Sequence, residues 1–183
     1  MTQLNLGAGP HRAPAPWVNI DRVYIAGRIE PDLILPSGSP ADLADHFEAG
    51  TVTHVYLGHV LEHVAWDEVP RFLSELAGLL IVDGEVCVVG PDVNRAIAGA
   101  AVGIYPWSLV DACLEGPDPQ IDGDDFSHDG ARHQWNCTEE RVVGALQAAG
   151  FRYVTRWRPG RLPRVWPIVS RVDWQMAVTA VKP

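Results

Sequence analysis

An α/β fold built on a doubly wound, parallel sheet is what this sequence predicts, and two observations predict it. Short apolar runs recur along the first ninety residues, each ending on glycine, proline or aspartate. Between two of them, Asp67–Leu80 carries Val69, Phe72, Leu73, Leu76 and Leu80 at helical spacing, an amphipathic helix. Strands that alternate with helices at this interval are joined by crossover connections and pair in parallel.

Taken in order, Gln3–Leu6 reads as a first strand broken by Gly7, and Trp17–Ile20 as a second ending on Asp21. Asp32–Leu35 is a third, closed by Pro36-Ser37-Gly38. Ser37 or Ser39 then caps a helix through Ala41–Ala49, with Gly50 as its stop. Thr53–Leu57 is a β-branched fourth strand, and after the amphipathic helix Asp83-Gly84 turns the chain into a fifth, Glu85–Val89. Asn94–Glu115 has helical character weakened by Gly99, Gly103 and Pro106. Residues 116–130 hold five aspartates, two prolines and glycines, the composition of a loop or lid. Thr138 is an N-cap, followed by Glu139 and Glu140 where the helix dipole favours acids, and Gly150 ends that helix. Phe151–Trp157 and Trp174–Val181 close the chain as a hairpin spanning 151–181.

The 183 residues fit one domain, 1–183, and a 47% hydrophobic content can enclose a core. Cys87, Cys113 and Cys137 stand far apart, without CxxC spacing, as buried thiols of a reducing compartment rather than disulfides or a zinc ribbon. The N-terminus has no basic-then-apolar signal segment, and no apolar run approaches the roughly 20 residues that cross a bilayer. A soluble, cytoplasmic protein without a membrane partner is the expectation. The net charge of −9 is uneven: from Phe151 onward seven basic residues face one acid, Asp173. That basic tail either neutralises the acidic loop or meets an anionic substrate, while the overall acidity argues against duplex nucleic acid.

A strand running into Gly7-Ala8-Gly9 lets backbone turn sharply and approach a ligand closely at the carboxyl end of a parallel sheet. Asp21, ending the next strand, offers a carboxylate to ribose hydroxyls. Together they suit a nucleoside-type ligand; alone, the glycines are equally a structural turn.

The succession LNLGAGP, WVNIDR, VYLGHVLEHV, an amphipathic helix, LLIVDGEVCVVGPD and, later, ARHQW before a helix and Ala149-Gly150-Phe151 resembles the small class I S-adenosylmethionine-dependent methyltransferases of the methyltransferase type 11-like group. The resemblance covers most of Leu4–Trp157. It implies a Rossmann-like, seven-stranded, mostly parallel sheet of order 3-2-1-4-5-7-6, with strand 7 antiparallel and helices on both faces. It implies S-adenosylmethionine as cofactor, S-adenosylhomocysteine as product, and methyl transfer to an oxygen or nitrogen of a small molecule, an anionic one if the basic tail meets the substrate. Leu6, Gly7, Ala8 and Gly9 would form the turn beside the methionine part of the cofactor. Asp21 would hold the ribose, with Arg22 beside it, and Gly58 and His59 would lie by the sulfonium. His59 and His133 are the candidate bases, and His63, His128 and Trp135 the candidate substrate contacts.

Two positions depart from the family pattern. His11 stands where a further glycine is common, and no acid follows the third strand until Asp42, so adenine recognition falls to Asp42 or to backbone near Leu43. These departures sustain a second reading, a methyltransferase-fold scaffold without catalysis. A third comes from His59-Val60-Leu61-Glu62-His63, which spells the H-x-x-E-H order of a zinc hydrolase with Glu139 or Glu140 as further ligand. Because the segment directly follows a β-branched strand, the methyltransferase reading explains it with no metal. Tyr105, Trp107 and, as the alternative to a substrate contact, Trp135 are expected to pack. The aspartates of 118–129 lack the ligand spacing of a calcium loop.

Overall fold

The computed structural model describes residues 1–9, 12–22, 30–116, 132–158, 160–167 and 172–183. Its centre is a seven-stranded sheet: β1 (Thr2–Leu6), β2 (Trp17–Asp21), β3 (Leu33–Ile34), β4 (Val52–Gly58), β5 (Leu80–Pro91), β6 (Arg152–Trp157) and β7 (Gln175–Val181). The spatial order is β3-β2-β1-β4-β5-β7-β6. The first five strands pair in parallel, whereas β7 runs antiparallel to both β5 and β6. This is the order and polarity that the resemblance implies.

Alternation along the strands divides the interior in two. Leu4, Leu57, Val86, Val88, Met176, Val178 and Ala180 point to one face, where α1 (Val69–Leu79) contributes Phe72, Leu73 and Leu76. A later helix, Glu139–Ala148, adds Val142 and Leu146 to the same core. Tyr56, Cys87, Val89 and Ala177 point to the other face, which Ala13, Trp17, Leu162 and Trp166 cover. The apolar runs of the central strands are therefore buried on both faces, as parallel sheets require.

Several elements differ in extent from expectation. Ala41–Ala49 is a six-residue 3-10 helix, Pro40–Asp45, capped by the Ser39 hydroxyl on the Ala41 amide with Pro40 at its first position. Asp83-Gly84 is not a turn before β5 but a bulge within it. Asp83 has φ 60°, and the register with β4 jumps from Val52↔Leu80 to His54↔Glu85. Asn94–Glu115 is two helices, α2 (Val93–Ala101) and α3 (Trp107–Glu115), so the later helix is α4. Left-handed Gly103 (φ 76°) and Pro106 separate them, and Tyr105 folds back on Gly99, where a β-carbon would meet its ring at 2.3 Å. The 116–130 loop falls almost wholly outside the described residues, as do His11 and His128. Among the described residues, no helix is long and apolar enough to cross a membrane.

Candidate active site

The parallel strands deliver their carboxyl ends, and the turns that follow them, to one edge of the sheet. There β1 passes into Gly7-Ala8-Gly9. Gly7 (φ 67°) and Gly9 (φ 51°) are both left-handed, a conformation cheap only without a β-carbon. The amides of Gly7 and Ala8 donate to the Ile20 carbonyl at 2.9 and 3.2 Å, folding the turn over the end of β2. A β-carbon on Gly7 would lie 2.4 Å from Val60 Cγ2, so the turn also seats against the segment that follows β4.

Asp21 ends β2 at this turn. Its carboxylate accepts from the Gly9 amide at 2.7 Å and from the Arg22 amide at 2.7 Å, tying the glycine turn to the second strand. Arg22 runs along the next turn, where a β-carbon on Gly38 would strike its Cδ at 2.7 Å. In that turn Asp42 accepts a hydrogen bond from the Ser37 hydroxyl, and Leu43 is buried. Beneath lies a polar network that sequence reading missed. Asn19 Oδ1 accepts from Asn5 Nδ2 at 2.9 Å and from the Ala13 amide at 2.7 Å, and Asp32 accepts from the Asn19 amide at 2.8 Å and pairs with Arg12. It anchors the chain returning from the glycine turn. A 470 Å³ depression lined by Arg12, Pro16, Trp17 and Asp32 lies at the start of β2, the sheet edge away from this turn.

Past β4, His59 adopts a left-handed backbone (φ 56°) and its amide donates to the Val89 carbonyl at 2.8 Å. Such a conformation is costly for a residue with a β-carbon and is held only by its surroundings. His59 Nδ1 lies 2.9 Å from Glu62 Oε1, and Nε2 lies 2.7 Å from Gln175 Nε2 at the start of β7. With its proton on Nδ1, the ring donates to Glu62 and accepts from the Gln175 amide. Burial lowers the imidazole's affinity for a proton, but the hydrogen bond and charge of Glu62 outweigh it and hold the His59 pKa above its usual value. Glu62 is fully buried, beside Gly90 of β5, where a β-carbon would come within 3.3 Å of Oε2.

The chain re-enters this edge at 132–137. The Gln134 amide donates to the Glu62 carbonyl at 2.8 Å, so His133 stands beside His63 with ring centroids 5.0 Å apart. Trp135 turns the other way. It is 7% exposed, and its indole N–H is shared between the Leu61 and Val64 carbonyls at 3.1 and 3.0 Å. Trp135 thus braces the turn carrying Glu62. Asp92, at the end of β5, caps α2 through the Asn94 amide and pairs with Arg95 at 3.1 Å. Arg95 also meets Glu139 of α4, and Arg156 lies 3.3 Å from that same carboxylate, so one arginine of the basic tail is engaged within the fold.

Glu62 and Gln175 are the partners of His59 that sequence reading left out of the site. Glu62 was visible in the H-x-x-E-H spacing. Gln175 becomes a neighbour only because antiparallel β7 places it opposite Pro91. The pair expected to share a metal, His59 and His63, is split: His59 binds Glu62 and Gln175, and His63 faces His133.

No family model matches the chain, and no curated protein is detectably similar to it in sequence. Solved structures do match. A SAM-dependent methyltransferase from Archaeoglobus fulgidus aligns with a TM-score of 0.62 at 12% identity, covering 99% of this chain and 86% of that one. The Burkholderia thailandensis 1,6-didemethyltoxoflavin-N1-methyltransferase, solved with bound 1,6-didemethyltoxoflavin and S-adenosylhomocysteine, aligns at 0.55 and 16% identity over 99% and 70%. The CurJ carbon methyltransferase aligns at 0.53 and 16%, and this chain spans 48% of its length. Strand order, polarity and these likenesses together give the chain the class I S-adenosylmethionine-dependent methyltransferase fold.

Proposed function

We propose that this chain is an S-adenosylmethionine-dependent methyltransferase (EC 2.1.1.-) acting on an oxygen or nitrogen of a small molecule. One observation carries the reading: the left-handed Gly7-Ala8-Gly9 turn locked to the Asp21 carboxylate at the sheet's carboxyl edge. Ligands of doubly wound folds sit at this edge. The exposed turn offers backbone to a ligand, while Asp21 retains lone pairs for ribose hydroxyls, since each carboxylate oxygen accepts more than one donor. Arg22, Asp42 and Leu43 lie on the adjoining turns and would flank the adenine.

When bound, S-adenosylmethionine supplies an electrophilic methyl carbon. The chain's own work is to align the acceptor and take its proton. His59 suits the second task, because Glu62 fixes its Nδ1–H and leaves the Nε2 lone pair at the site edge. The Gln175 amide now meets that lone pair, marking where an acceptor's O–H or N–H would donate. His63 and His133, whose rings meet with centroids 5.0 Å apart, would then contact the acceptor. The likenesses also support the fold without the chemistry, so the rival is a scaffold that binds no cofactor.

Calorimetric titration with S-adenosylhomocysteine separates the two. Saturable binding is expected, and Asp21→Ala should weaken it about 10- to 100-fold, the loss of charge-assisted hydrogen bonds worth roughly 1.5–3 kcal/mol. No binding by the parent protein at millimolar ligand would establish the scaffold instead.

A further inference from the structure

We infer that Glu62, His63 and His133 form a binding site for a divalent transition-metal ion, zinc being the chemistry that fits them best. A carboxylate oxygen of Glu62 and a ring nitrogen from each histidine lie within 4.8 Å of one another. Ligand atoms around a tetrahedral zinc stand about 3.3 Å apart at bond lengths of about 2.0–2.2 Å, so the side chains need close by up to about 1.5 Å.

Three further details distinguish the cluster from an incidental meeting of polar groups. Glu62 is fully buried, yet its Oε2 has no hydrogen-bond partner. A buried carboxylate oxygen without a partner is costly and calls for a water or an ion. His63 Nδ1 lies 3.3 Å from the Arg132 carbonyl and His133 Nδ1 lies 2.8 Å from the Cys113 carbonyl. A carbonyl only accepts, so both Nδ1 atoms carry the proton and both Nε2 atoms keep a lone pair. Glu62 Oε1 is likewise held, by His59 at 2.9 Å. Each of the three ligands is therefore oriented from behind by a second group, the arrangement that fixes tautomer and aim in metal sites.

Two imidazoles and one carboxylate suit zinc rather than calcium or magnesium, which take oxygen ligands. They fill three tetrahedral positions and leave the fourth to a water or another oxygen ligand. This set differs from the one the H-x-x-E-H spacing suggests, because His59 stands behind the carboxylate instead of on the metal.

The test needs neither cofactor nor substrate, so its failure is distinct from a failure of the methyltransferase reading. Chelator-stripped full-length protein is titrated with zinc sulfate alone by calorimetry, and Co²⁺ loading is followed by visible spectroscopy. One equivalent should bind, with the intense d–d bands of a tetrahedral cobalt centre. His133→Ala, at a half-buried position outside helix and strand, should weaken binding by more than about 100-fold, since losing even a supporting group costs 10- to 100-fold. Glu62→Gln should do the same; if that variant fails to fold, the His133 variant alone decides. Absence of saturable zinc binding, or equal affinity in His133→Ala, would overturn the assignment. The orphan oxygen would then be served by water.

Discussion

At the scale of single residues, the glycine turn is held by space as much as by backbone angle. A β-carbon on Gly7 would sit 2.4 Å from Val60 Cγ2 and would have to be carried at φ 67°. Gly7→Ala should cost about 1–3 kcal/mol in denaturant unfolding, the usual price of overpacking. Adding Val60→Ala should recover the steric part but not the backbone part, a coupling that a double-mutant cycle reads directly. Asp32 gives a pH-dependent counterpart. Hydrogen bonds from Asn19, opposed by burial and reinforced by Arg12, hold its pKa below the usual carboxylate value. A folded-state pKa below the unfolded one contributes stability that is present above about pH 4 and lost as pH falls through the folded value. Thermal midpoints from pH 6 down to 2 should therefore fall less in Asp32→Asn than in the parent. Neither effect was legible beforehand, because Val60 and Asn19 become neighbours of these residues only through the sheet. Asp21 was readable, since the end of the second strand fixes its place whatever surrounds it.

Among the elements, α4 shows how far capping signals carry. Thr138 accepts from the Arg141 amide at 3.3 Å, as its sequence position predicts, and Glu139 and Glu140 fill the first turn. Thr138→Ala should lower unfolding free energy by about 1 kcal/mol, measured by urea denaturation. The strands were equally plain, being apolar runs bounded by turn residues. Lengths were harder. β5 extends to 12 residues because Asp83 takes a left-handed bulge where sequence suggests a turn, and Asp-Gly is compatible with both. The segment after Ser39 is 3-10 because six residues with a leading proline sustain little more than a turn. The meeting of His63 with His133, 70 positions apart, depends on a return path between Glu62 and Gln134 that no local pattern encodes.

For the molecule as a whole, the proposed cofactor binding predicts a linked gain in stability. A ligand at 100 times its dissociation constant stabilises by about 2.7 kcal/mol. For a chain of this size each kcal/mol moves the midpoint by roughly 2–4 °C. Scanning calorimetry with S-adenosylhomocysteine should therefore show a rise of about 5–11 °C at that ratio, and Asp21→Ala at the same ligand concentration should show far less. Such a rise would register binding anywhere on the native chain, so its loss in the Asp21 variant is what ties it to the glycine turn.

The antiparallel β7 lies between β5 and β6 although it follows both in the chain. Until Gln175–Val181 has been synthesised, β6 has no strand to join, and the apolar edge of β5 from Val86 to Val89 faces outward with its ladder unmade. Order of synthesis and order of assembly are thus opposed at this end of the sheet. A nascent chain held before Gln175 exposes the kind of edge that pairs with other chains, and aggregation should be greatest in that interval and subside once β7 inserts.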